Sequence, residues 1–541
     1  MNNHEAPYDL IIVGYGPTGL TLASLLGQQG HRIAVVERWP RLYGLPRLTH
    51  IDGETARLIS LAADGKHALR EAWTTPHYNW VNGKGQLLMD VAHGNTRKMI
   101  WDDHMSVHQP HIEEAIHERI TDLPNVTLFR GYIASALEQG DDGVQLTIQP
   151  WKKGQDSAAQ SGGRVVLHGS YLVGCDGSKS FVRAALGVDR LDFGFNERWL
   201  CVDTEPKRPL PSKFDENAVQ VCDPRRGYMF MPIGRKRQRF EFALLPHEKT
   251  EDIASEEAAW RLLEQYHGLG RDDLQLIRHL VYTFECRLAK RWRVGNVFLA
   301  GDAAHTNPPY LGQGACSGMR DAANLAWKLD LVLRGVSGDA LLDTYEAERR
   351  PHVLTLMQQA RSLGLVANTA NPMKAVVRDL LFRFKLTPKP EFPTLNDGML
   401  QRQSDGKLAP GAGSLPGQGH LVVDGRKLRF DEHVGFAFAL LLRHAPPGGF
   451  EPALQAALDA AGVRCMAIDG PSSDFARVGD ADGRYRALMD ELDADAVLMR
   501  PDFVLYGHAR FDGLPELLRS LISQLRCLST PAPAGIPSPM G

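Results

Sequence analysis

Three stretches of the 541-residue chain predict an α/β fold: two strand–glycine turn–helix units far apart in sequence, and a region of strand-like alternation between them. The first unit is the apolar run YDLIIV at 8–13, which enters Gly14-Tyr15-Gly16-Pro17-Thr18-Gly19 and a helix over 20–29. The second is 296–329, where the apolar run 297–300 is broken by Gly301-Asp302 and a Gly/Pro-rich loop over 305–314. A helix follows, with apolar Met319, Ala322, Ala326, Leu329 and Leu333 at helical spacing and Gly335 placed to stop it. Between the units, from about 199 to 283, the alternation of 228–233 and 239–245 reads as antiparallel strands, with a further strand at 281–287 and an amphipathic helix over 255–269.

Each unit suits a phosphorylated, polyhydroxylated ligand. In the first, a second strand over 32–36 ends in Glu37, eighteen residues after Gly19. Gly14 permits the tight turn, Gly16 lets backbone approach a pyrophosphate, Gly19 lets helix and strand pack, and Glu37 can accept from a ribose diol. That is a Rossmann-like dinucleotide fingerprint, with Pro17 and Thr18 opening the helix. The loop 38–52 carries Arg38, Arg41 and Arg47, read either as a solvated basic loop or as one folding an arginine over the pyrophosphate. A helix is expected over 111–120; Gln109 before it either reaches a cofactor with its amide or is a neighbour of the helix cap. Strands are expected in 126–146 and 164–173, split by an insertion at 152–163 and ending in Asp176-Gly177 before a Ser-x-x-Arg helix start.

Composition narrows the class. The length suits two or three domains. With 43% hydrophobic and 23% charged residues the chain is an ordinary globular one, and its net charge of −3 offers no general attraction to nucleic acid or anionic membrane. Seven cysteines lie scattered with no CxxC pair, which argues against a zinc site or disulfide scaffold and suits a reducing cytoplasm. Neither a signal-peptide pattern nor a bilayer-length apolar run is present. A helix over 341–361 is expected to brace the nucleotide-binding part. The Pro/Gly-rich 386–419 reads as a linker, and 529–541 as a disordered tail. Over 420–528, strands at 420–423, 464–468, 496–499 and 503–506 and helices at 436–443, 451–461 and 514–525 suggest a thioredoxin-like α/β domain. It holds only Cys465 and Cys527, too few adjacent thiols for disulfide exchange, so a structural or oligomerising role is expected.

Taken together, GxGxxG with Glu37, Asp176-Gly177 and GDAAH…GQG…SGMRDAANLAWKL resemble the class A flavoprotein monooxygenases of the para-hydroxybenzoate hydroxylase fold, closest to the 3-(3-hydroxyphenyl)propionate hydroxylase group. The resemblance implies an FAD-binding domain in two parts (1–198 and 285–385) around a substrate-binding sheet insertion (199–284). It implies that NADH or NADPH, docking transiently, reduces FAD, and that O₂ then yields a flavin C4a-hydroperoxide which hydroxylates a phenol. Gly14, Gly16, Gly19 and Glu37 would hold the ADP half. Arg47 and Gln109 match positions near the pyrophosphate, and Asp176 and Gly177 a motif shared with the nicotinamide donor. Gly301 and Asp302 would meet the ribityl chain, and Pro308, Pro309, Gly312, Gln313, Gly314, Ala315 and Cys316 the isoalloxazine. Cys316 departs from the Asn usual there. His305, with Pro308, is the catalytic candidate, either bonding the substrate phenol or packing the helix. Tyr228, Met231 and Tyr310 are pocket-wall candidates.

No metal cluster or nucleophile triad is expected, because the cofactor carries the hard chemistry. The substrate is read as a hydroxyphenylpropionate-like acid or a larger polyketide phenol. A flavin halogenase lacks support, since no Trp-x-Trp-x-Ile-Pro occurs. A flavin-bound sensor or assembly partner is the non-enzymatic alternative, a carrier-protein dock at 420–541 another, and a homodimer or higher oligomer the expected assembly of a cytoplasmic protein.

Overall fold

The computed structural model describes residues 7–75, 77–90, 96–140, 143–151, 163–384, 386, 391–446, 448–469 and 475–527. The chain divides into two compact units, one of residues 1–322 with 352–393, the other of residues 323–351 with 394–541. Most of the insertion at 152–163 and the tail at 529–541 lie outside the described residues.

In the first unit, strands Val297–Leu299, Val165–Gly174, Tyr8–Val13, Ile33–Glu37 and Val126–Arg130 lie side by side in that order, all parallel. Their near-continuous apolar runs fit strands covered on both faces. Two antiparallel strands, Tyr132–Gly140 and Gly143–Pro150, extend from Val165–Gly174. The stretch 126–146, expected with 164–173 as one small meander, is therefore split, with 126–130 joining the parallel sheet. Helix Gln109–Thr121 brackets its expected span, and Pro17–Gln28 begins three residues before the expected 20–29 and ends one residue short of it.

The second sheet has eight strands, ordered His305–Thr306, Leu274–Ala289, Arg190–Pro206, Arg237–Ala243, Tyr228–Ile233, Ala218–Cys222, Tyr78–Asn82 and Leu87–Asp90. It draws two strands from before the 199–284 region and one from after it. One face is an apolar core against helix Glu256–His267, where Leu200, Val202, Phe240 and Phe242 meet Leu262 and Leu263. The alternation of each strand sends Trp199, Cys201, Asp203, Arg239 and Glu241 to the other face.

The second unit contains a five-stranded sheet ordered Ala476–Arg477, Arg464–Asp469, Ala439–His444, Ala496–Met499 and Leu505–Ala509. Ala439–His444 runs parallel to Arg464–Asp469 and antiparallel to Ala496–Met499. The helix expected at 436–443 is thus a strand. An apolar run this short satisfies either period, and burial of Ala439 to Leu442 between two strands decides it. Helix Arg484–Glu491, not among the expected elements, packs its short apolar stripe Tyr485, Leu488 and Met489 into the core.

This unit also buries a charged network. Glu348 accepts from Arg500 Nη2 at 2.7 Å and from Asn324 Nδ2 at 2.7 Å, and Lys328 Nζ lies 2.8 Å from it. Asp502 takes Arg500 Nη2 at 2.6 Å. Burial alone would raise the Glu348 carboxyl, but the facing Arg500 and Lys328 charges hold it at about 2. A pKa below the unfolded value means that this carboxylate stabilises the fold fully above about pH 4.5, a contribution lost as pH falls towards 2. Glu348→Gln is expected to flatten the acid limb of a pH–stability profile measured by urea unfolding. Arg500→Met, which strands a buried carboxylate, should cost about 3–5 kcal/mol in the same assay.

Candidate active site

The first unit's two glycine turns come together at the carboxyl ends of its parallel strands. Gly14 has φ +105°, and a Cβ there would lie 2.3 Å from the Cys175 carbonyl oxygen, so only glycine fits. A Cβ on Gly16, by contrast, would meet nothing within 4 Å. That open space sits at the N-cap of helix Pro17–Gln28, whose first N–H groups have no partner within the helix. Glu37 turns its carboxylate to the same turn, accepting from the Tyr15 N–H and the Trp39 N–H, each at 2.9 Å. Each oxygen retains acceptor capacity for a diol.

Thr18 connects this turn to the second. Its hydroxyl and methyl fill the space beside Gly301 and Gly318, where any Cβ would collide with Oγ1. Gly318 lies within the quoted GQG…SGMRD run, yet no role was assigned to it from sequence. Asp321, one turn on, accepts the Gly301 N–H at 3.1 Å and shares a 2.7 Å hydrogen bond with His305 Nε2. His305 Nδ1 faces Asn307 Oδ1 at 3.3 Å, and its ring stacks on Trp292 at 5.3 Å. Both ring nitrogens are engaged and the residue is buried. His305 therefore packs the loop onto the helix and offers nothing to a phenol, which corrects its place as a catalytic candidate.

The same loop leaves Asp302 in an unusual position. Protein encloses the carboxyl and burial raises its pKa against the opposing charges of His305 and Arg47, yet the residue is solvent-accessible. Such a carboxylate lines an internal hollow. Arg47 is exposed as a residue, its guanidinium 4.4 Å from the Tyr43 ring centroid, and its charge opposes the rise at Asp302. Pro46 and Arg47 are held from below. Arg239 donates from Nη2 to the Pro46 carbonyl at 2.8 Å and from Nη1 to the Arg47 carbonyl at 2.9 Å, and Arg278 also donates to Pro46. Both arginines are paired with the fully buried Asp203. Gln109 completes the clamp, its Oε1 accepting from Arg47 N–H at 2.9 Å and Leu48 N–H at 2.6 Å while its amide donates to Glu113 at 2.7 Å. The amide is committed inside the protein, so Gln109 acts on the Arg47 loop. Burial pushes the Glu113 carboxyl up to about 7. Arg38 is exposed, its guanidinium 5.6 Å from the Trp39 ring centroid.

Asp176 follows strand Val165–Gly174; its Oδ2 accepts the Val182 N–H at 3.0 Å, and burial raises its pKa. Gly177 has φ +82°. Pro308 is buried, Pro309 starts a short 3₁₀ turn, and Gly312 has φ +63°. Gly314 and Ala315 open the helix Gly314–Leu333 and are half-buried. Gln313 is tied to Asp52 at 3.0 Å and to Arg320 Nη1 at 2.8 Å, and Arg320 pairs with Asp52 and Glu54. Burial raises the Cys316 thiol to about 12, and its Sγ faces the carbonyls of His50 and Gly312 at 3.8 and 3.6 Å. Its hydrogen bonds thus stay within the chain, where the sequence pattern had pointed to the isoalloxazine edge.

Alternation separates the wall candidates. Tyr228 packs beside Phe230 and Tyr266 under helix Glu256–His267, on the face away from the nucleotide turns, which corrects its assignment. Met231 points the other way, with Thr49 Oγ1 3.4 Å from its sulfur. Tyr310 is buried among Trp80, Phe195 and Trp199; its hydroxyl donates to Glu197 at 2.8 Å and accepts from Asn368 at 2.6 Å. Burial raises Glu197 against those hydrogen bonds. No motif marked Glu197 or Asn368, because their meeting depends on residues far apart in sequence.

The hollow, the open glycine turn and the paired acid define a flavin-dinucleotide site. The FAD binding domain family matches residues 7–360, and the chain belongs to it. The HcaD C-terminal domain family matches 413–524. More particularly, the chain is 34% identical to a probable NADH-specific resorcinol 4-hydroxylase of Rhodococcus jostii (strain RHA1), over 98% of this chain and 97% of that one. It is 31% identical to the 3-(3-hydroxy-phenyl)propionate/3-hydroxycinnamic acid hydroxylase of Escherichia coli (strain K12), over 98% and 95%. The OxyS anhydrotetracycline hydroxylase of Streptomyces rimosus superposes with a TM-score of 0.73 at 26% identity, over 95% of this chain and 99% of that one. Aklavinone-11 hydroxylase with FAD and aklavinone shares the fold, at a TM-score of 0.76 and 22% identity over 97% and 100%. The chain is an FAD-dependent aromatic hydroxylase of class A. No helix among the described residues is long and apolar enough to cross a membrane.

Two substitutions separate folding from flavin binding. Gly14→Ala, which drives a Cβ into backbone, is expected to lower the melting temperature of apoprotein. Gly16→Val is expected to leave that temperature unchanged while abolishing the visible flavin absorbance. His305→Ala, which strands part of the Asp321 carboxylate, should cost about 1–3 kcal/mol in urea unfolding, with phenol-dependent turnover per bound flavin within a few-fold of wild type.

Proposed function

We propose that this enzyme hydroxylates a small phenol of the resorcinol or 3-hydroxyphenylpropionate kind, with NADH as its donor. The observation that carries the reading is the near full-length match to two relatives whose names specify single-ring phenols, beside which a buried cluster of four rings, Trp80, Phe195, Trp199 and Tyr310, stands next to the Pro308 loop. The names of the two relatives that match along nearly all of their length support the substrate class, and the first supports NADH. The likeness to OxyS supports the second reading, a larger polycyclic phenol.

Residue roles follow from the geometry. The N–H groups around Gly16, with Arg47, would hold the pyrophosphate, Glu37 the ribose hydroxyls, and Asp302 the ribityl chain. Bound FAD supplies hydride acceptance and oxygen activation. Residues 308–314 would carry the flavin ring system, and Arg320, through Asp52 and Gln313, fixes that loop. Met231 and the aromatic wall exclude water from the reacting atoms. Tyr310 is a positioning residue, its hydroxyl fixed by Glu197 and Asn368. Asp176 shapes the turn nearest the donor. In the C-terminal unit, the parallel pair followed by an antiparallel hairpin supports the thioredoxin-like reading.

NADH oxidation by the purified yellow protein, followed with and without a panel of phenols while peroxide is trapped, tests the reading. Resorcinol and 3-hydroxyphenylpropionate should accelerate oxidation with little peroxide formed. Acceleration by polycyclic phenols alone would establish the second reading. Oxidation that no phenol accelerates, with all oxygen lost as peroxide, would refute both.

A further inference from the structure

Helix Pro372–Arg383 carries an apolar face that nothing among the described residues covers. Met373 is 81% exposed, Val376 60%, Val377 57% and Phe384, just past its end, 65%; Leu380 and Leu381 are exposed as well. At 100° per residue these six side chains occupy an arc of roughly 140°. The exposed basic residues Lys374 and Arg383 border the arc on its two sides. The opposite side anchors the helix. Ala375, Arg378 and Phe382 are buried, Arg378 donates to the Val366 and Cys222 carbonyls at 3.1 and 3.0 Å, and Asp379 accepts from Asn82 at 2.9 Å. The apolar arc is therefore presented outward by a fixed helix, and Leu386 (69% exposed) continues it. Its exposed area is on the order of 700 Å², above the largest patch of an ordinary monomer.

Charge selects what covers it. Residues 372–390 hold five basic residues (Lys374, Arg378, Arg383, Lys385, Lys389) and one acid, Asp379, a net +4 within a chain of net −3. The one acid is already engaged by Asn82 and Arg378. A second copy of this 372–390 segment would bring +4 against +4, its one acid already engaged. An apolar stripe bordered by basic residues on a helix too short to span is the arrangement of an interfacial helix. We propose that Pro372–Arg383 docks this enzyme on anionic phospholipid surfaces, its apolar arc among the acyl chains and Lys374 and Arg383 at the headgroups. Phenols that partition into lipid would then be met at the surface that holds them.

Vesicle flotation of the FAD-loaded full chain tests this, with phosphatidylcholine alone and with phosphatidylcholine mixed with phosphatidylglycerol, at low and high salt. Recruitment is expected only to the anionic vesicles, weakening as salt rises. Val377→Asp with Leu380→Asp should abolish it at unchanged flavin content and melting temperature. Lys374→Gln with Arg383→Gln should reduce partitioning about 25-fold, about fivefold for each basic residue. The proposal is overturned if anionic vesicles recruit nothing, if recruitment ignores lipid charge, or if the aspartate variant binds as wild type does. It is equally overturned if sedimentation velocity shows a dimer that the aspartates dissolve.

Discussion

The site depends most on one buried carboxylate. Asp321 accepts the Gly301 N–H and the His305 ring together, and so fixes both ends of the turn that carries Asp302. A buried acid is costly unless its lone pairs are filled, which makes this pairing a strict geometric requirement rather than a loose preference. Thr18, wedged against Gly301 and Gly318, passes the constraint to the first glycine turn. Two segments nearly three hundred residues apart therefore form one rigid cradle.

A second buried charge does the same work from the sheet. Asp203 holds Arg239 and Arg278 on the inner face, and their remaining donors take the Pro46 and Arg47 carbonyls. Stability alone could be met by apolar packing of similar volume. What this trio contributes is direction, since a planar guanidinium fixes the backbone oxygens it reaches. The Arg47 side chain is thereby aimed by groups that never meet the ligand. A similar economy appears in Glu197, which orients the Tyr310 hydroxyl.

Charge averaged over the chain concealed a local feature. A net −3 argues against anionic surfaces, yet 372–390 reaches +4 and carries an outward apolar arc. Counting charge over the whole molecule removes the spatial order on which association depends. Helix Pro372–Arg383 itself lay between two stretches that read more clearly, a charged helix before it and a Pro/Gly-rich segment after.

The sequence by itself determined the parallel strands at 8–13, 33–37 and 297–299, the fingerprint glycines, Glu37 and the Gly301-Asp302 turn. Each is a local signal: an apolar run, a required φ, or an acid at a strand's end. It also determined three strands of the second sheet, at 228–233, 239–245 and 281–287, because a period of two is visible in single residues; the strands at 78–82, 87–90 and 218–222 were not legible. Only the tertiary structure decided which face of that sheet meets the site, sending Tyr228 under a helix and Met231 towards Thr49. Alternation fixes that neighbours point apart, and says nothing about which direction is inward. Likewise a histidine in a loop has no sequence mark separating a proton carrier from a packed ring. For His305 the difference lies in Asp321 and Trp292, and for residues 439–444 it lies in the two strands on either side. Long-range partners made those choices, and no local pattern encodes them.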